Sequence, residues 1–457
     1  MSTTSVNVAT SGTGLTMSNP LSGSGIDVDS VVAQIEAGER VPETNLENQQ
    51  ATIQNQESDL GTINSDLSSL LTSVQQLTDP TGALAAQTAT SSDTSVLNAT
   101  ATSSAIAGNH TITVTQLATT GSWYSAPLRD STTATFTPGT LTLDVGGTPT
   151  TLTFDSSDDT LSTAAAYINS QNVGVTASVI TDSTGDRLAL VSNQSGAAGD
   201  ISVTSSPTGL GFTQGTVGQD AQLKVDGVPV DSASNTITGT IPGVTLNLTA
   251  TDVGSQIQLS VAPDADSVTT VVNQFVSSYN QAIGDINAQF TYNTTTDTQG
   301  PLATDATLTS VQSQLLQLMT NSVSGNASFS SLASIGITMN DDGTLSVDNS
   351  TLSAAATNDS SDLQQFMQAS GGFATTLQSS LTTLTAPNTG PLTVDINNLQ
   401  SEYTDLQSQI NDIETQITSQ HDALITQYST LNALLEDYPT QLQETQVELG
   451  LNTSTSS

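Results

Sequence analysis

Apolar residues recur every seven positions near both ends of this chain, and that repeat limits its fold more than any other feature. Toward the N-terminus, Leu46, Ile53, Leu60, Leu67 and Val74 mark one seam position. Three residues on from each stand Gln49, Gln56, Ile63, Leu70 and Leu77. The distal repeat is longer, through Ile396, Tyr403, Ile410, Ile417, Leu424, Leu431 and Tyr438. Its companion seam is Leu399, Leu406, Ile413, Gln420, Gln427 and Leu434. This spacing gathers both seams on one stripe of an α-helix, and a repeat sustained over so many turns points to a coiled coil. Helices from the two ends must therefore meet. Antiparallel packing is the simplest solution, and it is expected to set Leu77 beside the Ile396 region. Gln49 and Gln56 then fall in the same half of the stalk as Gln427 and Gln420, as polar layers that weaken its outer part.

The distribution of acids agrees with helical ends around a different middle. Every Glu lies between Glu36 and Glu57 or between Glu402 and Glu448, while the centre uses Asp alone. Glu favours helices, whereas Asp favours caps and turns. A first helix is expected to start near Ile26 to Asp29, with Pro42 interrupting or restarting it. Asp79-Pro80-Thr81-Gly82 ends that region, and Pro439 is expected to close the distal helix, leaving 439–457 flexible. Residues 1–25, rich in Ser, Thr and Gly, read as disordered.

Between the ends the apolar period falls to two. Leu141, Leu143 and Val145 alternate, Gly146-Gly147 turns, and Leu152 and Phe154 return. Leu223 and Val225 lead into Asp226-Gly227 and out through Val228 and Val230, a strong hairpin signal. Strands are also expected at 111–116, 175–180, 188–191, 244–248 and 257–261. One helix interrupts them, with Leu161, Ala164, Ala165 and Ile168 on a face and Asp158 or Asp159 near its cap. From Asp266 to about Ala386 the pattern is helical again, with a hairpin over 335–347 that turns at Asp341-Asp342-Gly343. The fold class is α+β and multidomain: an antiparallel terminal coiled coil and a helical body carry an inserted β-rich head.

Composition excludes most chemistry. The formal net charge is −39, from 43 acids against four bases, Arg40, Arg129, Arg187 and Lys224. Such a surface repels phosphate backbones and anionic lipid, so neither nucleic acid nor membrane is an expected partner. No apolar run approaches the roughly 20 residues that span a bilayer. There is no cysteine, which removes disulfides and thiolate metal sites. The two histidines, His110 and His421, are read as surface or structural residues. No nucleophile elbow, phosphate-cradling loop or EF-hand spacing occurs. Catalytic residues, cofactor and metal are accordingly expected to be none. Trp123-Tyr124 reads as core rather than as a contact patch. The start of the chain lacks the basic and apolar regions of a secretory signal, which implies cytoplasmic residence or export without cleavage.

Several segments resemble the flagellar hook-associated protein 2 family, the filament caps. Gly23 to Ile35 (GSGIDVDSVVAQI) with Glu39-Arg40-Val41-Pro42 is similar to the family's start, and Asn109 to Ala118 (NHTITVTQLA) to its first head strand. Asp226-Gly227-Val228 with Ile241 to Leu246 (IPGVTL) looks like the close of its head. Phe275 to Asn280 (FVSSYN), Gly300-Pro301-Leu302, Ile335-Gly336-Ile337 and Asp342 to Ser346 (DGTLS) resemble its C-terminal region. Leu161 to Val179 resembles a module of flagellins. The resemblance implies two head domains, the first from 80–135 with 215–261 and the second, flagellin-type, from 136–214. Flanking them would be leg and body helices over 26–79, a helical body over 262–391 and a coiled-coil helix over 392–438. It implies a structural role at the distal end of a bacterial flagellar filament, holding exported flagellin so that it folds and inserts. The implied partners are other copies of itself (a pentamer, within four to six), flagellin, hook–filament junction proteins and an export chaperone at the C-terminus. The implied location is extracellular, reached by type III export without a cleaved signal. The rival readings are another axial protein, such as a junction protein, or a tip adhesin.

Overall fold

The computed structural model describes residues 27–292, 294 and 298–449; the expected disorder of 1–25 and the last residues of the expected flexible tail lie outside these. Two helices open the chain, α1 (Val28–Glu39) and α2 (Val41–Thr78). Fifteen strands and one helix follow: β1 (Gln87–Ser91), β2 (Leu97–Ala101), β3 (Gly108–Gln116), β4 (Thr120–Ser125), β5 (Thr140–Val145), β6 (Thr148–Thr153), α3 (Leu161–Ser170), β7 (Val175–Asp182) and β8 (Gly185–Ser195). They continue with β9 (Ile201–Ser205), β10 (Phe212–Thr216), β11 (Ala221–Val225), β12 (Val228–Ser232), β13 (Thr236–Thr238), β14 (Val244–Leu248) and β15 (Asp252–Pro263). The return is helical, through α4 (Ala265–Phe290) and α5 (Ala306–Thr320), the hairpin β16 (Ile337–Met339) and β17 (Leu345–Val347), then α6 (Asn349–Asn358), α7 (Ser360–Gln368), α8 (Phe373–Leu384) and α9 (Pro391–Glu448). Two compact units result, one from the described residues of 1–68, 284–313 and 382–457, the other from 69–283 and 314–381.

The first unit is the stalk with its helical base. Asp27 caps α1 by accepting from the Ser30 N–H, and the break at Arg40 lets α2 restart with Pro42 in its first turn, where a missing N–H costs nothing. Ile53, Leu60, Ile63 and Leu67 are buried, as are Leu406, Ile410 and Ile417 of α9. The helices are antiparallel. One constant register runs from Gln54–Tyr403 through Gln50–Gln407 to Glu36–His421, the α9 number rising as the α2 and α1 numbers fall. Continued inward, that register sets Ile396 level with Gly61, whereas Leu77, expected beside it, belongs to the second unit, where its carbonyl accepts from Gln368.

Two further expectations change in this unit. Pro439 does not close α9, which continues to Glu448. Proline removes only its own bond to the carbonyl four residues back, and the Gln, Glu and Leu around it are good helix formers. The apolar seam also does not stay buried to its end: Leu424 is half-buried, and Leu431 and Tyr438 are exposed. At the observed register α1 begins level with the residues just before Leu431, so the facing helix runs out there.

The second unit contains the head. Its first domain is a sandwich of a five-stranded sheet, ordered β1-β15-β3-β11-β12, and a three-stranded sheet, β13-β14-β2. Between them lie Leu97, Ile112, Val114, Leu223, Leu246 and Leu259. The hairpin turn between β11 and β12 uses left-handed backbone at Asp226 and Gly227, as its sequence predicts. The second domain sets α3 against the sheets β10-β4-β8-β7 and β6-β5-β9. Thr160, not Asp158 or Asp159, caps α3, in a reciprocal pair with Thr163. The second domain begins earlier than expected. The expected boundary gives β4 to the first head domain, but it pairs with β8 and β10, and Trp123 packs on the second core with its indole N–H on the Ile201 carbonyl. Tyr124 beside it is exposed and lies under the Arg187 guanidinium, so only Trp123 of that pair is core.

One position on the free edge of β7 is occupied by a side chain. Asn169 of α3 accepts from the Ala177 N–H at 2.7 Å and donates to the Ala177 carbonyl at 2.8 Å, as a neighbouring strand would. Many head turns share another device, in which an Asp accepts from both the N–H and the hydroxyl of the residue two places on. Asp93 with Ser95, Asp130 with Thr132, and Asp155 with Ser157 all do this. The helical part of this unit packs Phe366 between Phe329 and Phe373, and Phe373 against Phe275. Tyr279, fully buried, donates its hydroxyl to the Gly343 carbonyl, and Asn280 exchanges two hydrogen bonds with Leu345, fixing α4 to the β16–β17 hairpin.

Candidate assembly surfaces

The stalk is joined by polar contacts as much as by apolar ones. Gln50 is buried and donates to the Tyr403 carbonyl at 3.3 Å and to Gln407 at 3.2 Å, and Gln54 donates to the Tyr403 hydroxyl at 3.1 Å. Glu36 meets the His421 ring, and the Gln420 amide reaches Glu39. Arg40, the one cation among the described residues of this unit, is bound to buried Glu43 at 2.8 Å.

The expected glutamine layers are therefore not those seen. Gln49 and Gln427 are exposed. Gln56 donates to the Pro301 carbonyl at 2.9 Å, and Gln420 bonds Glu39, so no seam glutamine meets another. Gln50 stands three residues before buried Ile53, and Glu43 seven before Gln50, so the face turned to α9 runs through Gln50 rather than its neighbour Gln49.

Asp66 and Asp285 are joined by a side-chain hydrogen bond, which two ionised carboxylates cannot make. Burial first, then that bond and the repulsion between the acids, raise the Asp66 carboxyl from 3.8 to about 6. Its Oδ2 is buried without a partner.

Beyond the reach of α1, α9 carries a bare apolar stripe. Leu431, Leu434, Leu435, Tyr438, Leu442 and Leu449 are each more than 40% exposed. At 3.6 residues per turn they share about a third of the helix circumference, while Glu436, Asp437, Glu444 and Glu448 fall outside it. An exposed apolar stripe of this kind is a surface for interaction with another apolar face. Among the described residues there is no cluster of three or more metal-ligating side chains, and no helix is long and apolar enough to cross a membrane.

Known proteins match along almost all of this architecture. The profile of the flagellar hook-associated protein 2 N-terminus matches residues 24–121, and that of its C-terminus residues 218–439. The flagellin hook IN motif matches 140–194, which includes α3 and most of the second head domain. The B-type flagellar hook-associated protein 2 of Pseudomonas aeruginosa is 30% identical over 383 residues, 77% of this chain and 80% of that protein. The flagellar hook-associated protein 2 of Escherichia coli is 30% identical over 390 residues, 79% and 82% of the two chains. The crystal structure of a three-domain portion of the Escherichia coli flagellar cap protein FliD superposes with a TM-score of 0.60 at 30% identity, covering 75% of this chain and 99% of that one. With both terminal profiles matched in order, and a helical stalk and body around a β-rich head, the chain belongs to the flagellar hook-associated protein 2 family of filament caps.

Proposed function

We propose that this protein caps the distal end of a bacterial flagellar filament, where it promotes folding and insertion of exported flagellin and prevents its loss. It is a structural protein, not an enzyme. The observation that carries the reading is the match of both family profiles across the helical ends and the head. Several copies, five in our reading and within a range of four to six, form the cap. The bare stripe of α9 supports contacts with neighbouring subunits at the filament end, where hook–filament junction proteins are the first partners and flagellin the lasting one. Before export a chaperone binds the C-terminal region, and the chain leaves through the type III apparatus without signal cleavage. Deleting the gene tests the role: filaments should be short or absent, with unpolymerised flagellin shed into the medium. Filaments of normal length would refute it.

A further inference from the structure

We propose that the two head domains form one rigid body, locked at a glycine-packed joint. Domains linked by short strands ordinarily move against each other unless the interface prevents it. Here the chain crosses between domains twice, over 117–119 and 217–220, and the two crossings pair with each other: Thr119 and Gln219 form an antiparallel bridge, and the Thr119 hydroxyl donates to the Val217 carbonyl at 2.7 Å.

A third segment closes on this pair. The loop 195–200 of the second domain donates from the Gly196 N–H to the Thr119 carbonyl at 3.0 Å, from the Ala197 N–H to Asp220 Oδ1 at 2.7 Å, and from the Ser195 hydroxyl to the Ala233 carbonyl at 2.6 Å. Asp200 returns the contact by accepting from the Gly218 N–H at 2.8 Å. On the first domain's side, Asn235 holds Ala118 by both its N–H and its carbonyl, at 2.8 and 2.9 Å.

The backbones lie too close for side chains. A Cβ on Gly218 would stand 2.6 Å from the Asp200 nitrogen, and one on Gly196, which also has φ +87°, would stand 2.6 Å from both Ala233 Cα and Asp220 Oδ1. Close contact leaves no slack for a hinge, and the bonds cross the joint in several directions, so a bend in any direction breaks some of them. A load applied to one head domain is passed on to the other.

The absence of cysteine makes the test clean, since a Thr88→Cys/Thr153→Cys pair in the full chain can be spin-labelled at only those two sites, one per head domain. Pulsed electron resonance should give one narrow distance. Gly218→Val, which forces the crossings apart, should lose that narrow peak, and so should Asp220→Ala, which removes a clamp without crowding and covers the case in which the valine variant fails to fold. A broad distribution in the parent pair, or a narrow peak unchanged in both variants, overturns the proposal.

Discussion

Replacing Asp66 by Asn should tighten the helical base of the stalk at neutral pH and leave it unchanged in acid. The fold holds Asp66 as a proton donor to Asp285, so the folded value of about 6 stands above the 3.8 of the unfolded chain. A group raised in this direction stabilises the fold below pH 3.8, and that contribution fades as pH rises through about 6. Above that, the fold must either keep the proton against the solvent or hold two anions together. The full difference corresponds to about 3 kcal/mol. Because Asp66 is only half-buried, solvent screening reduces this to about 1–2 kcal/mol. Asn keeps the donor and carries no charge. Hydrogen exchange of the α2 amides around residue 66, in parent and Asp66→Asn proteins, reads the effect as a ratio, so the pH dependence of intrinsic exchange cancels. Protection should be higher by roughly 5–30-fold in the variant at pH 7.5, and equal at pH 4. A variant less protected at pH 7.5, or a ratio independent of pH, would refute the shared proton.

The head turns should respond to acid in the opposite sense. Asp93, Asp130 and Asp155 of the head are held below 3.8 by hydrogen bonds from the side chain and backbone two residues on, as is Asp342 in the β16–β17 hairpin of the body, and Asp348, the cap of α6, is lowered to about 2 by Ser350 and Thr351. Their contribution is present above 3.8 and lost as pH falls below it, so circular dichroism should show the β signal intact at pH 4 and failing only well below. Leu67→Ala removes a fully buried seam residue and should destabilise the stalk by about 2–5 kcal/mol in denaturant unfolding. With −39 on each chain, added salt should promote self-association in sedimentation experiments, and Leu435→Ser with Leu442→Ser should abolish it. Pro439→Ala should raise hydrogen-exchange protection in distal α9, by restoring the bond that proline removes.

Periodicity made most of this fold readable. Seven-residue spacing located α2 and α9, alternation located strands such as β5, β6, β11 and β12 but not β1, β2, β4, β9, β10 or β13, and Asp226-Gly227 named its turn. What failed was the set of quantities that periodicity does not carry. The stripe on α9 shows which face is apolar but not how far its partner reaches, so the seven-residue repeat runs on through Leu431 and Tyr438 while the buried seam stops short of them. Register depends on single contacts such as Gln50 with Gln407, and the repeat admits both Gln49 and Gln50, four and three residues before Ile53, without deciding which of them faces α9. β4 illustrates the same limit in the head. No alternation marks it as a strand, and only its pairing with β8 and β10 and the seat of Trp123 on the second core say to which domain it belongs. The acid pair of Asp66 and Asp285 joins helices more than 200 residues apart and leaves no local pattern at all.

Asn169 has a consequence that reaches beyond one molecule. In the proposed cap, heads standing side by side would present their open sheet margins to identical neighbours at high local concentration, the situation in which strands of separate chains zip together. By occupying Ala177 as a neighbouring strand would, the asparagine spends that valence within its own domain. Adjacent caps can then touch through side chains along that margin, in contacts that form and release, rather than fuse into a continuous ribbon.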